Sequence, residues 1–126
     1  MRRTTYVRLY ADERGESHFA EVEIELGLVD FAPPAPPLHV AALFPATGCG
    51  FVCAPADWDG GIPHPSPRRQ LFCALSGEYE ITASDGTTRR FPAGSLLLLE
   101  DTTGKGHTTR IVGGVDAQVV AVALAD

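Results

Sequence analysis

At 126 residues and 44% apolar composition, the chain is long enough to bury one hydrophobic core and too short for two. Its net charge of −6 and pI near 5.1 exclude the basic surface that nucleic acid binding needs, and it has no apolar run of membrane-spanning length, so neither nucleic acid nor membrane is an expected partner. Three cysteines, Cys49, Cys53 and Cys73, with no secretory leader ahead of them, read as buried free thiols in a cytoplasmic protein; Cys49 and Cys53 lack the second ligand pair of a zinc site.

In chain order, "AEVEIEL" (Ala20 to Leu26) alternates Glu21, Glu23 and Glu25 with Val22, Ile24 and Leu26, the period-two pattern of a half-buried strand with a solvated acidic face. Four prolines in "FAPPAPPLHV" fix φ and remove donors, which predicts an extended crossing loop from Phe31 to Leu38, with His39 at a surface or edge. Trp58 in "ADWDGG" reads as a core or interface anchor, with Asp57 and Asp59 solvated beside it. Asp85-Gly86 supplies the positive φ of a two-residue hairpin between "GEYEITAS" and "TTRRF". "PAGSLLLLED" gives a turn and a short apolar strand, and "DAQVVAVAL" gives the last strand. In "TGKGHTT" a phosphate-loop reading fails because strand-forming residues, not a helix, follow the glycines. No amphipathic helix with caps is legible, so the chain is expected to be all-β, a sandwich or small barrel.

The stretch "IPHPSPRRQLFCALSGEYE" crowds polar groups before an apolar strand. On an extended chain His64, Ser66, Arg68 and Gln70 share a face. If that face lines a barrel, Arg68 needs an anion, either Glu100 or Asp101 or a carboxylate, enolate or phosphate on a small-molecule ligand. Tyr10 and His18 are further ligand-binding candidates, polar aromatics of the kind found at barrel mouths, with "GESHF" as a loop able to fold over the opening.

Two spacings carry a family resemblance. His64-x-Ser66-x3-Gln70-x6-Gly77, followed by Gly86-x5-Pro92-x-Gly94 and then His107, resembles the paired motifs of the cupin superfamily, and "GESHF", "RRQ" and "EDTTGKGH" resemble segments of small single-domain bacterial cupins. The resemblance implies a double-stranded β-helix, the cupin jelly-roll barrel. It would form a single domain over 1–126, with N-terminal strands and a Pro-rich crossing loop in 1–40 and a barrel core in 41–126. It also implies a divalent metal ion (Zn, Fe, Ni or Mn) on His64, His107 and Gln70, with Glu100, Asp101 or His18 completing the sphere. Here the chain departs from the family pattern: Ser66 replaces a histidine, Gln70 replaces a glutamate, and His107 falls about two residues late. Two functions remain open. One is acid–base or weakly metal-assisted catalysis by His64, His107 and Glu100 on a small organic substrate, as in isomerisation, cyclisation, dehydration or epimerisation, with Arg68, Gln70, Ser66, His18 and Tyr10 holding the substrate. The other is a non-catalytic module that binds a small anion through Arg68. Sheet edges that need covering make a homodimer the expected assembly.

Overall fold

A computed structural model describes residues 2–126, among which there are eleven strands and no helix. They are β1 (Arg2–Ala11), β2 (Ser17–Val29), β3 (Leu38–Val40), β4 (Ala46–Ala54), β5 (Asp59–His64), β6 (Gln70–Ser76), β7 (Glu78–Ala83), β8 (Thr88–Pro92), β9 (Leu96–Glu100), β10 (His107–Val112) and β11 (Ala117–Leu124). One sheet has seven strands in the order β3-β2-β1-β9-β6-β11-β4, and the other has four in the order β5-β10-β7-β8. All pairings are antiparallel except β1 with β9. Residues at the tightest turns, such as Gly77 and Gly94, are glycines with positive φ, as the motif spacings require.

The alternation of strand side chains sorts the large sheet into two faces. Leu9, Ala74, Leu97, Leu99 and Val119 point toward the small sheet, where they pack with Tyr79, Ile81 and Phe91 in the main core. The opposite face carries a second cluster of Tyr6, Leu71, Leu98 and Leu124, covered by Leu43 and Phe44. Both cores therefore draw on the N-terminal strand β1, which lies inside the sheet between β2 and β9. Strand β2 keeps the predicted acidic face, with Glu21, Glu23 and Glu25 exposed and Val22 and Ile24 packed on the second cluster. His39 lies exposed on the short edge strand β3, as the sequence suggests.

Several local expectations change. The link between β7 and β8 is four residues, 84–87, because Thr82 pairs with Thr88 and the Ala83 amide bonds the Thr87 carbonyl; Asp85 turns inward to accept from Thr87 N. Cys49 and Cys53 are exposed, since they lie on the outer face of the edge strand β4, and Cys73 is only half-buried. Trp58 is 42% exposed rather than a core anchor.

On the outer face of the large sheet, Glu100 accepts from Arg8 Nε at 2.8 Å and from Arg69 Nε at 2.7 Å. Arg8 lies over the Tyr10 ring and Arg69 over Phe44, so the pair clamps the segment that covers the second cluster. Burial pushes the Glu100 carboxyl up, but the hydrogen bonds from Arg69 and Arg8 outweigh it and hold the group below the ordinary value of 4.5. Glu100→Gln should therefore lower stability by about 1–3 kcal/mol, between the worth of surface and buried pairs. The loss should shrink as pH falls through the depressed Glu100 pKa, because protonation then removes the same charge from the wild type. Urea unfolding of both proteins at neutral and acid pH checks this.

Candidate functional site

The two sheets enclose a cavity of about 310 Å³, at the small end of ligand pockets. Its walls are mostly apolar, from Val52, Phe72, Ile81, Leu99, Ile111 and Val119. The polar groups gather at one end: His64, His107, Ser66 and Gln70, with Thr109 nearby on β10. Trp58 also lines the cavity, its ring lying against Gly60, where a Cβ would fall 2.3 Å from a ring carbon.

Strand pairing brings the two histidines together. His64 ends β5 and His107 begins β10, and the two are direct cross-strand partners with ring centroids 5.1 Å apart. The approach depends on Gly106, whose φ is +73° and where a Cβ would sit 2.1 Å from the His64 carbonyl carbon. Only glycine fits both constraints.

Behind His107 stands Asp101, which the sequence offers instead as a partner of Arg68 or a metal ligand. Asp101 has no solvent exposure, and its Oδ2 lies 2.5 Å from His107 Nδ1. A carboxylate can only accept, so Nδ1 carries the proton and a neutral ring presents its lone pair at Nε2. Among the described residues the buried side-chain nitrogens and oxygens without a partner are Tyr79 OH and Asp101 Oδ1, so Nε2 is not sealed away but opens on the cavity. His64 is arranged similarly: its Nδ1 faces the Pro65 carbonyl at 3.0 Å, which leaves its Nε2 as the acceptor, at the exposed mouth. Gln70 donates through Nε2 to Ser66 Oγ at 3.1 Å, and Ser66 Oγ donates to the Arg68 carbonyl at 2.7 Å. The hint in the sequence was the spacing in "EDTTGKGH", which brings an acid six residues before a histidine to the two ends of one turn.

Other expected members lie elsewhere. Arg68 is exposed and lines a shallow adjoining cleft, because residues 65–69 leave the strand and the Ser66–Arg68 turn breaks the alternation that would have kept it beside His64. Glu100 is on the outer face and is paired with Arg69, not Arg68. Tyr10 and His18 are direct cross-strand partners on that same outer face, because their neighbours Leu9 and Phe19 take the core side. The cavity is thus left with His64, His107, Ser66 and Gln70 of the predicted set.

The metal implied by the family resemblance meets a poor donor set. The two imidazoles have only the neutral Gln70 amide beside them, and Asp101 is spent on the far nitrogen of His107. Among the described residues no group of three His, Cys, Asp or Glu side chains is placed to hold an ion. Two imidazoles and one neutral amide are too few good donors to hold a divalent first-row metal tightly.

His18 has its own role. Nε2 lies 2.7 Å from Asp12 and Nδ1 2.9 Å from Asp85, so the ring bridges two loops as an imidazolium. The hydrogen bonds that the ring donates, first to Asp12 and then to Asp85, raise its pKa above the ordinary 6.5. Asp12, bonded chiefly by His18, and Asp85, bonded chiefly by Thr87 N, are both lowered from 3.8. A raised histidine adds stability below its unfolded pKa and loses it as pH rises through the folded value; a lowered carboxyl loses its share as pH falls. The melting temperature gap between wild type and His18→Gln should therefore be widest between about pH 4 and 6.5 and should close toward alkaline pH. A gap that persists unchanged above the folded pKa, measured by NMR titration of the ring, would contradict the bridge.

No protein-family profile matches the chain, and no curated protein matches it in sequence. Among solved structures, the cupin domain of Cnp3 from Schizosaccharomyces pombe is similar at 21% identity and a TM-score of 0.50, covering 98% of this chain and 84% of that one. A candidate ethanolamine utilization protein Q from Salmonella typhimurium LT2 aligns at 16% identity and a TM-score of 0.42, over 98% of both chains. No helix among the described residues is long and apolar enough to cross a membrane. The likeness to the Cnp3 domain, the two facing sheets and the glycine and proline spacing at the turns agree on one architecture: the chain is an all-β jelly roll with the cupin fold.

Proposed function

We propose that this cupin-fold domain is an acid–base catalyst that moves a proton on a small, largely apolar organic substrate. The observation that carries the reading is the His107 ring on the cavity wall with a fully buried carboxylate on its far nitrogen. His107 Nε2 accepts a proton from substrate carbon or hydroxyl, and Asp101 fixes the tautomer and stabilises the imidazolium that forms. His64, on the opposite strand, receives or returns the proton at a second position. Ser66 and Gln70 orient a polar group of the substrate, and the apolar walls exclude water and favour neutral molecules over ions. Isomerisation and epimerisation consist of such transfers, and dehydration and cyclisation require them alongside the loss of water or the closing of a ring bond.

A second reading rests on Arg68. It has no carboxylate partner among the described residues and faces the cleft beside Cys49 and Ala123, which suits a small anion held without chemistry. Arg68→Lys should then weaken phosphate or carboxylate binding while leaving the proton-transfer site untouched.

Exchange of deuterium from D2O into the acidic C–H of small cyclic ketones and β-diketones, followed by NMR, tests the first reading. Wild type should accelerate exchange for at least one of them. His107→Gln should lose about 10²–10⁴-fold, and Asp101→Asn should lose rate through the wrong tautomer while still folding. Equal rates with wild type and His107→Gln would refute the assignment. Titration with Zn²⁺, Ni²⁺, Mn²⁺ or Fe²⁺ should show weak, chelator-labile binding that His64→Ala abolishes, because two imidazoles and an amide supply too few good donors. Tight stoichiometric binding that survives His64→Ala would place the ligands elsewhere.

A further inference from the structure

We propose that β4 is the seam of a twofold homodimer centred on Phe51, in which Cys49 of each subunit lies opposite Cys53 of the partner subunit.

The two sheets have four edges, and three carry the features that prevent a strand from pairing with a neighbour. Strand β3 is three residues long and follows the proline-rich loop. Strand β5 holds Asp59 and Pro63, and β8 holds Arg89, Arg90 and Pro92. Strand β4, "ATGCGFVCA", has nine residues, no charge and no proline, and its one irregularity against β11 is at its beginning. Its free side is therefore a run of unpaired amides and carbonyls flanked by apolar side chains. On the outer face Phe51 is 80% exposed and ends a cross-sheet apolar row through Val120, Cys73 and Leu96.

The sequence of the strand selects a second copy as the occupant. In an antiparallel pair related by a twofold axis, every residue meets its mirror position, so any charge would face itself; this strand has none while the whole chain carries −6. The outer-face positions Cys49, Phe51 and Cys53 are symmetric about Phe51. An axis through Phe51 sets the two phenyl rings side by side and extends the apolar row across both subunits. On the inner face it sets Val52 against Gly50 of the partner subunit and Gly48 against Ala54 of the partner subunit, a larger side chain opposite a glycine each time. Val52 and Ala54 also line the cavity, so the partner strand would continue the wall at its mouth. Directly opposed residues of antiparallel strands have Cα atoms about 4.5–5.5 Å apart, within disulfide range. The Cys53 thiol has only a long contact, 3.9 Å, to Asp116 Oδ2, and Cys49 is exposed.

Light scattering and diamide crosslinking test the register and the occupant together. Wild type should run at twice 13.4 kDa. Diamide should link it into a covalent dimer, each cystine forming with loss of two protons and two electrons that reduce diamide to the hydrazine. Cys49→Ser and Cys53→Ser should each fail to link to themselves, because each leaves one thiol facing a serine. Co-expressed with different tags, the two variants should link to each other through the surviving Cys49–Cys53 pair. Phe51→Lys, which opposes two like charges, should shift the protein to 13.4 kDa with an unchanged circular dichroism spectrum. A monomeric wild type, a dimer that tolerates Phe51→Lys, or a single variant that links to itself as well as wild type would each overturn the proposal. The crosslinking pattern decides the matter even if Phe51→Lys fails to fold.

Discussion

A carboxylate with no exposure to solvent holds the polar end of the cavity together. Asp101 cannot remain buried as a bare anion without hydrogen bonds, since desolvation alone would cost several kcal/mol. One oxygen accepts a hydrogen bond from His107 Nδ1, and the backbone carbonyl of the same residue accepts from Ser66 N at 2.9 Å. That residue thereby ties three chain segments, the end of β9, the start of β10 and the link into β6. Its second oxygen, Oδ1, has no protein partner.

The tail of β9 divides its labour over three consecutive residues. Leu99 enters the core, Glu100 turns outward to Arg8 and Arg69, and Asp101 goes under His107. Period-two geometry explains the first two. The third follows because the chain leaves the strand at Asp101 and turns through Gly104 and Gly106 into β10. The glycines are what let that turn lie close to the hairpin loop at Gly15 and the backbone of His64.

The cavity and the β4 edge are adjacent parts of one surface. Val52 faces the pocket while Phe51 on the same strand faces outward, so covering the edge would also shape the pocket mouth. On the other side of the molecule, the Asp12–His18–Asp85 bridge and the Glu16–Lys105 pair fasten the loops behind His107. The Ser17 hydroxyl donates to the Gly106 carbonyl at 2.7 Å, so this fastening reaches the residue before the histidine.

Local periodicity in the sequence was enough to establish the all-β class and the strands with alternating or continuous apolar pattern, and the resemblance of its motif spacings to those of cupins implied that His64 and His107 share one cavity. It also placed Ser66 and Gln70 at the pocket. Tertiary structure alone decided the rest. Arg68 left the pocket because a side-chain bond within residues 66–68 broke the strand alternation, and Arg69 rather than Arg68 found Glu100. His18 and Tyr10 went to the outer face because Leu9 and Phe19 claimed the core side of their strands. Asp101 became the partner of His107 through a turn whose closure depends on contacts between residues far apart in the chain, and Cys49 and Cys53 became exposed because the order of strands left β4 at an edge. Local pattern fixes which face a residue takes within its strand, but only the assembly of strands decides what that face meets.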